Sequence, residues 1–159
     1  MATNGGEHTP IRTHYIYSLL DPRDGTARYI GRTCDPKRRL SQHCAPERLA
    51  QSAKADWVRE LRDLGLRPRL RILETIAADR ARLNRLADKR GYKWNGGPSP
   101  LEYALDDIVS AREEYWMAQA LALGWPLLNG PTGEHIGYYG ATPRKAYMAG
   151  EEDNEEGNR

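Results

Sequence analysis

Residues Tyr15 to His43, YIYSLLDPRDGTARYIGRTCDPKRRLSQH, decide the fold. Tyr15, Tyr17 and Leu19 alternate with Ile16, Ser18 and Leu20, the period of two that sends successive side chains to opposite faces of a strand over His14–Leu20. The segment DPRDG that follows is dense in turn formers, with Gly25 able to take a positive φ. A second strand over Ala27–Arg32 includes Gly31, where another backbone or a substrate can approach closely. Two strands joined in this way predict an antiparallel hairpin. Asp35 followed by Pro36 predicts a helix start, a side-chain cap and then proline at the first helical position, with the helix running to Cys44. Arg39 and His43 share one face of it, and Leu40 points about 100° away, toward the sheet. Two phenols (Tyr17, Tyr29), a guanidinium and an imidazole gathered by so few residues suit a site that handles phosphate.

The rest of the chain predicts further helices and one more strand. A helix over Lys54–Leu64 buries Trp57, Val58, Leu61 and Leu64 and stops at Gly65. A third strand, RLRILETI at 69–76, sets Leu70, Ile72 and Leu73 against Arg69, Arg71 and Glu74. A basic helix over Asp79–Arg90 has Leu83 and Leu86 as its apolar positions, and GYKWNGGPSP then forms an exposed loop. Ser99 or Ser110 caps a long helix over Pro100–Leu123 that ends at Gly124. Leu105, Val109, Arg112, Trp116, Ala120 and Leu123 make its stripe, with Glu113 at the border of the buried face and Glu114 turned to solvent. Residues 125–129 form a short closing strand or an extended strap. Helices between three short strands, without regular βαβ alternation, indicate an α+β fold. Residues 1–10 read as a flexible lead-in and 11–130 as the domain, with a basic helix and loop insert at 80–100. Residues 131–159 are expected to be a turn-rich extension ending in an acidic, disordered tail.

With 159 residues, 39% hydrophobic and 29% charged, the chain is expected to be one polar domain. It has no apolar run of the ~20 residues a membrane span needs and no apolar N-terminal segment, so a cytoplasmic location without membrane partners is expected. Cys34 and Cys44 are lone thiols, expected reduced, and with His14 and His43 they match no familiar zinc spacing. Between Arg28 and Arg90 there are 17 Lys/Arg against 8 Asp/Glu, an excess that suits a polyanion such as nucleic acid.

The triplets Tyr15-Ile16-Tyr17 and Tyr29-Ile30-Gly31, followed by Arg39 and His43, resemble the signature of the GIY-YIG nucleases; Tyr15 stands at the first glycine, a position that supplies backbone rather than chemistry. The resemblance implies a small three-stranded, mostly antiparallel sheet flanked by helices. It also implies a metal-dependent endonuclease acting on DNA, double-stranded, branched or nicked, and leaving a 5′-phosphate and a 3′-hydroxyl. On that likeness Tyr29 activates the water, Tyr17 helps to hold the phosphate or that water, and Arg39 steadies the transition-state charge. His43 orients Tyr29 or relays its proton, and Asn129, sixteen residues past Glu113, closes the motif set. Arg32 stands where relatives often have lysine, and with Lys37 and Arg38 it is expected to touch nucleic acid. Glu113 is similar to the family's metal-binding glutamate and would hold Mg²⁺ or Mn²⁺. Its position on the helix allows two partners, a metal or a nearby arginine, because a carboxylate at the edge of a core needs one. The alternative to an enzyme is a catalytically inactive nucleic-acid-binding module on the same fold, for which Tyr15 and the basic insert leave room.

Overall fold

In the computed structural model the element order is β1 (His14–Leu20), β2 (Ala27–Thr33), α1 (Pro36–His43), α2 (Ala53–Asp63), β3 (Arg69–Ile76), α3 (Arg80–Arg90) and α4 (Pro100–Ala122). The structure describes residues 11–45, 47 and 51–129. The chain divides after Asn129, and the expectations for the lead-in at 1–10 and the tail at 131–159 lie outside the described residues.

The three strands form one antiparallel sheet in the order β2-β1-β3. The fold is therefore α+β, as expected, with every pairing antiparallel. β1 is central, and both of its faces are buried. Ile16 joins Ile30 and Ile76 in a core completed by Leu83 and Ala87 of α3 and by Ala104, Leu105, Val109 and Ala120 of α4. Tyr17 and Leu19 face the other way, onto Trp57, Val58 and Leu61 of α2, with Leu40 packed alongside. Fully burying each large apolar side chain contributes about 1.5–3 kcal/mol, so α2 is held by three residues of its apolar face.

The ends of the helices follow their local chemistry. Asp35 accepts from Arg38 N at the start of α1, Asp79 caps α3, and Ser99 forms a reciprocal capping box with Glu102 at α4. Ser110, the other capping candidate, lies inside α4. Gly25 takes φ +76 in the hairpin turn, which Asp21 closes through Asp21 N to Thr26 O at 2.8 Å and Gly25 N to Asp21 O at 2.8 Å.

Four expectations about packing are corrected. Leu64 is 58% exposed because it caps α2 rather than lying on its apolar face, and Leu123, just past the end of α4, is 68% exposed. In β3 the register opposite Ile16 is Glu74, but opposite Tyr17 it is Ile72. The irregularity leaves Leu73 without an opposing residue and breaks the simple alternation. Leu73 reaches the α3/α4 core while Ile72 is 39% exposed. Glu113 is not at a border: it is 2% exposed. Residues 125–129 form the strap rather than a strand. Leu128 N donates to Arg28 O at 2.6 Å, and Asn129 uses its side chain as a strand would use its backbone, giving Nδ2 to Ile30 O at 2.7 Å and accepting Ile30 N on Oδ1 at 2.9 Å. No described helix is long and apolar enough to cross a membrane.

Asp21 ties the hairpin turn to α2. Its buried carboxylate accepts from Arg23 Nε at 2.9 Å and Nη2 at 2.7 Å, and from Trp57 Nε1 at 2.9 Å. The hydrogen bonds from Arg23 outweigh the cost of burial and hold the acid well below the usual carboxylate range. A carboxyl depressed in the folded state contributes stability at pH values above its unfolded pKa and loses it as pH falls below that point. Asp21→Ala is expected to cost about 2 kcal/mol at pH 7, measured by denaturant unfolding, with the difference from the wild type shrinking below about pH 4.

Candidate active site

Gly31 lies directly opposite Tyr17 across the β1/β2 ladder. A Cβ on it would stand 2.6 Å from Tyr17 Oη and 2.8 Å from Tyr29 Cε1. The expectation that Gly31 admits a backbone or a substrate is therefore corrected: its missing side chain is the space in which the two phenols sit.

Tyr17 and Tyr29 project from β1 and β2 with ring centroids 6.3 Å apart, and His43 of α1 packs against both, at 5.9 and 5.3 Å. Tyr17 Oη is 2.7 Å from His43 Nε2, a bond whose direction is set by the imidazole tautomer, and accepts from Arg39 Nε at 3.2 Å. The helical spacing of Arg39 and His43 thus delivers both side chains to one phenol. Burial, followed by the neighbouring Tyr29, pushes the Tyr17 pKa well up, and the lowering effect of Arg39 does not overcome it. Tyr17 is a protonated phenol at neutral pH. Burial, reinforced by the charges of Lys54 and Arg39, lowers His43 to about 3, so its ring is neutral there. Burial opposes the charge on Arg39, but interactions with Tyr17 and Tyr29 outweigh that and keep its pKa up.

Glu113 enters from α4. Burial raises its pKa to about 7 against the opposing charges of Arg32 and Arg39. Arg32 Nε lies 3.5 Å from Glu113 Oε2, while its Nη1 donates to Asp106 Oδ1 and Ser110 Oγ, each at 2.8 Å. Asp106, Ser110 and Glu113 recur at steps of four and three, one stripe of α4, so a single guanidinium from β2 gathers all three. The arginine partner that the sequence left open for Glu113 is present.

The two phenols, Arg39 and His43 are in mutual contact, and Glu113, beside Arg32, lies within electrostatic range of Arg39 and Tyr17. Asn129 stands at the edge of this group, fastening the strap to Ile30 beside Gly31. Lys37 and Arg38 do not join it; both are exposed on α1, where Arg38 Nε lies 3.7 Å from Asp35 Oδ2. Three members were not found from the sequence. Asp106 and Ser110 carried a signal, their helical spacing from Glu113. Lys54 carried none: α2 brings its Nζ to 4.2 Å from the centre of the Tyr29 ring, a contact worth about 1 kcal/mol.

Among the described residues no three His, Cys, Asp or Glu side chains gather into a metal-binding group, so a multi-ligand cage such as zinc prefers has no counterpart there. The donor chemistry fits a different ion. One buried carboxylate, with hard oxygen donors, suits Mg²⁺ or Mn²⁺, since Mg²⁺ keeps several waters and needs only one or two carboxylates from the protein.

A family profile for the GIY-YIG catalytic domain matches residues 13–66, which covers the hairpin, α1 and α2 and leaves out Glu113 and Asn129. No curated protein and no solved structure matches the chain.

Gly31→Ala must displace Tyr17 and Tyr29 from a buried arrangement without altering the backbone preference of an extended residue. The expected result is a loss of about 2 kcal/mol in unfolding free energy, together with shifted ring resonances for both tyrosines by NMR.

Proposed function

We propose that the chain is a metal-dependent DNA endonuclease of the GIY-YIG type, hydrolysing phosphodiester bonds at the Tyr17–Tyr29–Arg39–Glu113 site, a reading supported by the family-profile match over residues 13–66. Nucleases of this family generally use divalent metals.

Phosphodiester hydrolysis needs a deprotonated water, cationic stabilisation of the non-bridging oxygens, stabilisation of the leaving oxygen, and alignment. Tyr29, in its phenolate form, takes the water's proton and becomes the neutral phenol. Arg39 offers a planar donor fork to the phosphate, which a lysine would not reproduce. Tyr17, kept protonated by burial, bonds to the phosphate or the attacking water, and neutral His43 orients it through the 2.7 Å contact. Glu113 would hold Mg²⁺ or Mn²⁺, and a bound cation supplies charge stabilisation at the leaving 3′ oxygen. Arg32, engaged by Asp106 and Ser110, orients Glu113 rather than reaching out to nucleic acid. Asn129 keeps β2 and the strap in register at the edge of the site.

The observation that carries this reading is the burial of Glu113 beside Arg32 and within the field of Arg39, with its pKa raised rather than lowered. Arg32 and Arg39 both favour the charged form of Glu113, but the cost of burial outweighs them, so a bound cation would further stabilise the carboxylate.

That cost has a sign that can be measured. A carboxyl whose folded pKa is raised binds its proton more tightly when folded, so stability falls as pH rises from about 4 through 7. Glu113→Gln is expected to stabilise the metal-free protein by about 2 kcal/mol at pH 8, with the gain disappearing near pH 4. In a plasmid-nicking assay with Mg²⁺ or Mn²⁺, wild type should cut, and Glu113→Gln and Arg39→Ala should each be slower by about 100-fold or more. Salt-sensitive DNA binding without metal-dependent nicking by the wild type would instead favour the inactive nucleic-acid-binding module.

A further inference from the structure

The surface formed by α3 and the loop after it is not used by the site described above. Leu83 and Ala87 bury one face of α3 against α4. Arg82, Arg85 and Lys89, at steps of three and four, are exposed on the rest of the helix. Asp88 is the one acid within α3.

The loop that follows is built to present a side chain. Gly91 caps α3 at φ +68, Tyr92 N donates to Ala87 O at 3.0 Å, and Tyr92 Oη donates to Asp107 Oδ2 at 2.6 Å. The Tyr92 ring also packs on Tyr103, with centroids 5.5 Å apart. Beyond this anchor Lys93 is exposed and Trp94 is 72% exposed, before the chain returns to the capping box at Ser99. Asp107, which holds the loop, is the neighbour of Asp106, which holds Arg32. The loop and the candidate active site are therefore fastened to the same turn of α4.

We propose that Arg82, Arg85, Lys89, Lys93 and Trp94 form a second DNA contact, in which the cations follow the phosphate backbone and Trp94 stacks on a base that is unpaired or unstacked. This assignment rests on the nucleic-acid reading of the chain and adds to it a substrate class, DNA with a gap, nick or junction near the cut. The charge pattern favours DNA over a protein partner. A docking patch for protein has an apolar, charge-depleted centre, whereas the exposed residues of α3 include Arg82, Arg85 and Lys89, and Lys93 directly precedes Trp94. Cations along a groove combined with an exposed aromatic are the elements by which proteins hold single-stranded or unstacked nucleic acid. Preorganisation by Tyr92 lowers the ordering cost of presenting Trp94.

The test is fluorescence anisotropy of the full chain in EDTA, over a series of salt concentrations. The probes are a labelled duplex and the same duplex with a one-nucleotide gap. The triple variant Arg82→Gln, Arg85→Gln, Lys89→Gln keeps helix propensity, so its thermal unfolding should match the wild type. It is expected to reduce the slope of log affinity against log salt by about 2–3 on both DNAs. Trp94→Ala should weaken binding to the gapped duplex by about tenfold and to the intact duplex far less. An unchanged slope in the triple variant, or an equal effect of Trp94→Ala on both DNAs, overturns the proposal. Nicking assays separate the two readings: wild-type protein that binds but never nicks counts against the nuclease alone. Variants that bind and nick like wild type count against this surface alone.

Discussion

Gly31 has no side chain, and most of the candidate site depends on the volume this leaves. β1 and β2 pair so that Tyr17 faces Gly31, and a methyl group there would overlap both tyrosines. With that volume empty, the two rings lie across the hairpin and His43 can close against their edges. The hydroxyl of Tyr17 is then within reach of α1, whose Arg39 and His43 both bond to it. The same strand edge receives the side chain of Asn129 one residue earlier, at Ile30. The strap therefore fixes the part of β2 that the tyrosines require.

Electrostatics divides the neighbourhood into two halves. On the α1/α2 side Arg39 and Lys54 surround two phenols and a histidine whose protonation is suppressed, a setting that favours a visiting anion. On the α4 side a single carboxylate lies buried, with one guanidinium beside it that is itself shared among Asp106, Ser110 and Glu113. Burial there disfavours the charged form of Glu113 despite its two arginine neighbours. The expense is offset elsewhere. Asp21, equally buried, is surrounded by donors that fully favour its charge, and Glu74 binds Arg112 and Trp116 between β3 and α4. The contrast between Asp21 and Glu113 separates a carboxylate that serves the fold from one held against its preference.

Much of the fold was legible because its signals are local. Alternation named β1, the Asp35-Pro36 pair named the start of α1, and Gly65 and Gly124 marked where helices end. What failed were features that depend on neighbours. Leu64 and Leu123 are apolar, but they sit at helix ends with nothing packed over them. The irregular register in β3 exchanged Ile72 for Leu73 because β1 sets which of the two reaches the core. Glu113 was legible as a candidate, yet its depth was not, since three residues on α4 had to be gathered by Arg32 from another element. Lys54 was invisible: no spacing relates it to Tyr29, and only the packing of α2 on the sheet brings them together.

The sequence by itself therefore determined the hairpin, the capped helices, the α+β class and the pairing of Arg39 with His43, all of which follow from side-chain periodicity and backbone chemistry over a few residues. Tertiary structure alone decided which faces of the helices meet the sheet, how far Glu113 is desolvated and which cations surround it. Those properties arise from long-range burial. A pKa depends on the solvent excluded and the charges brought near, and neither quantity exists until elements distant in the chain have packed together.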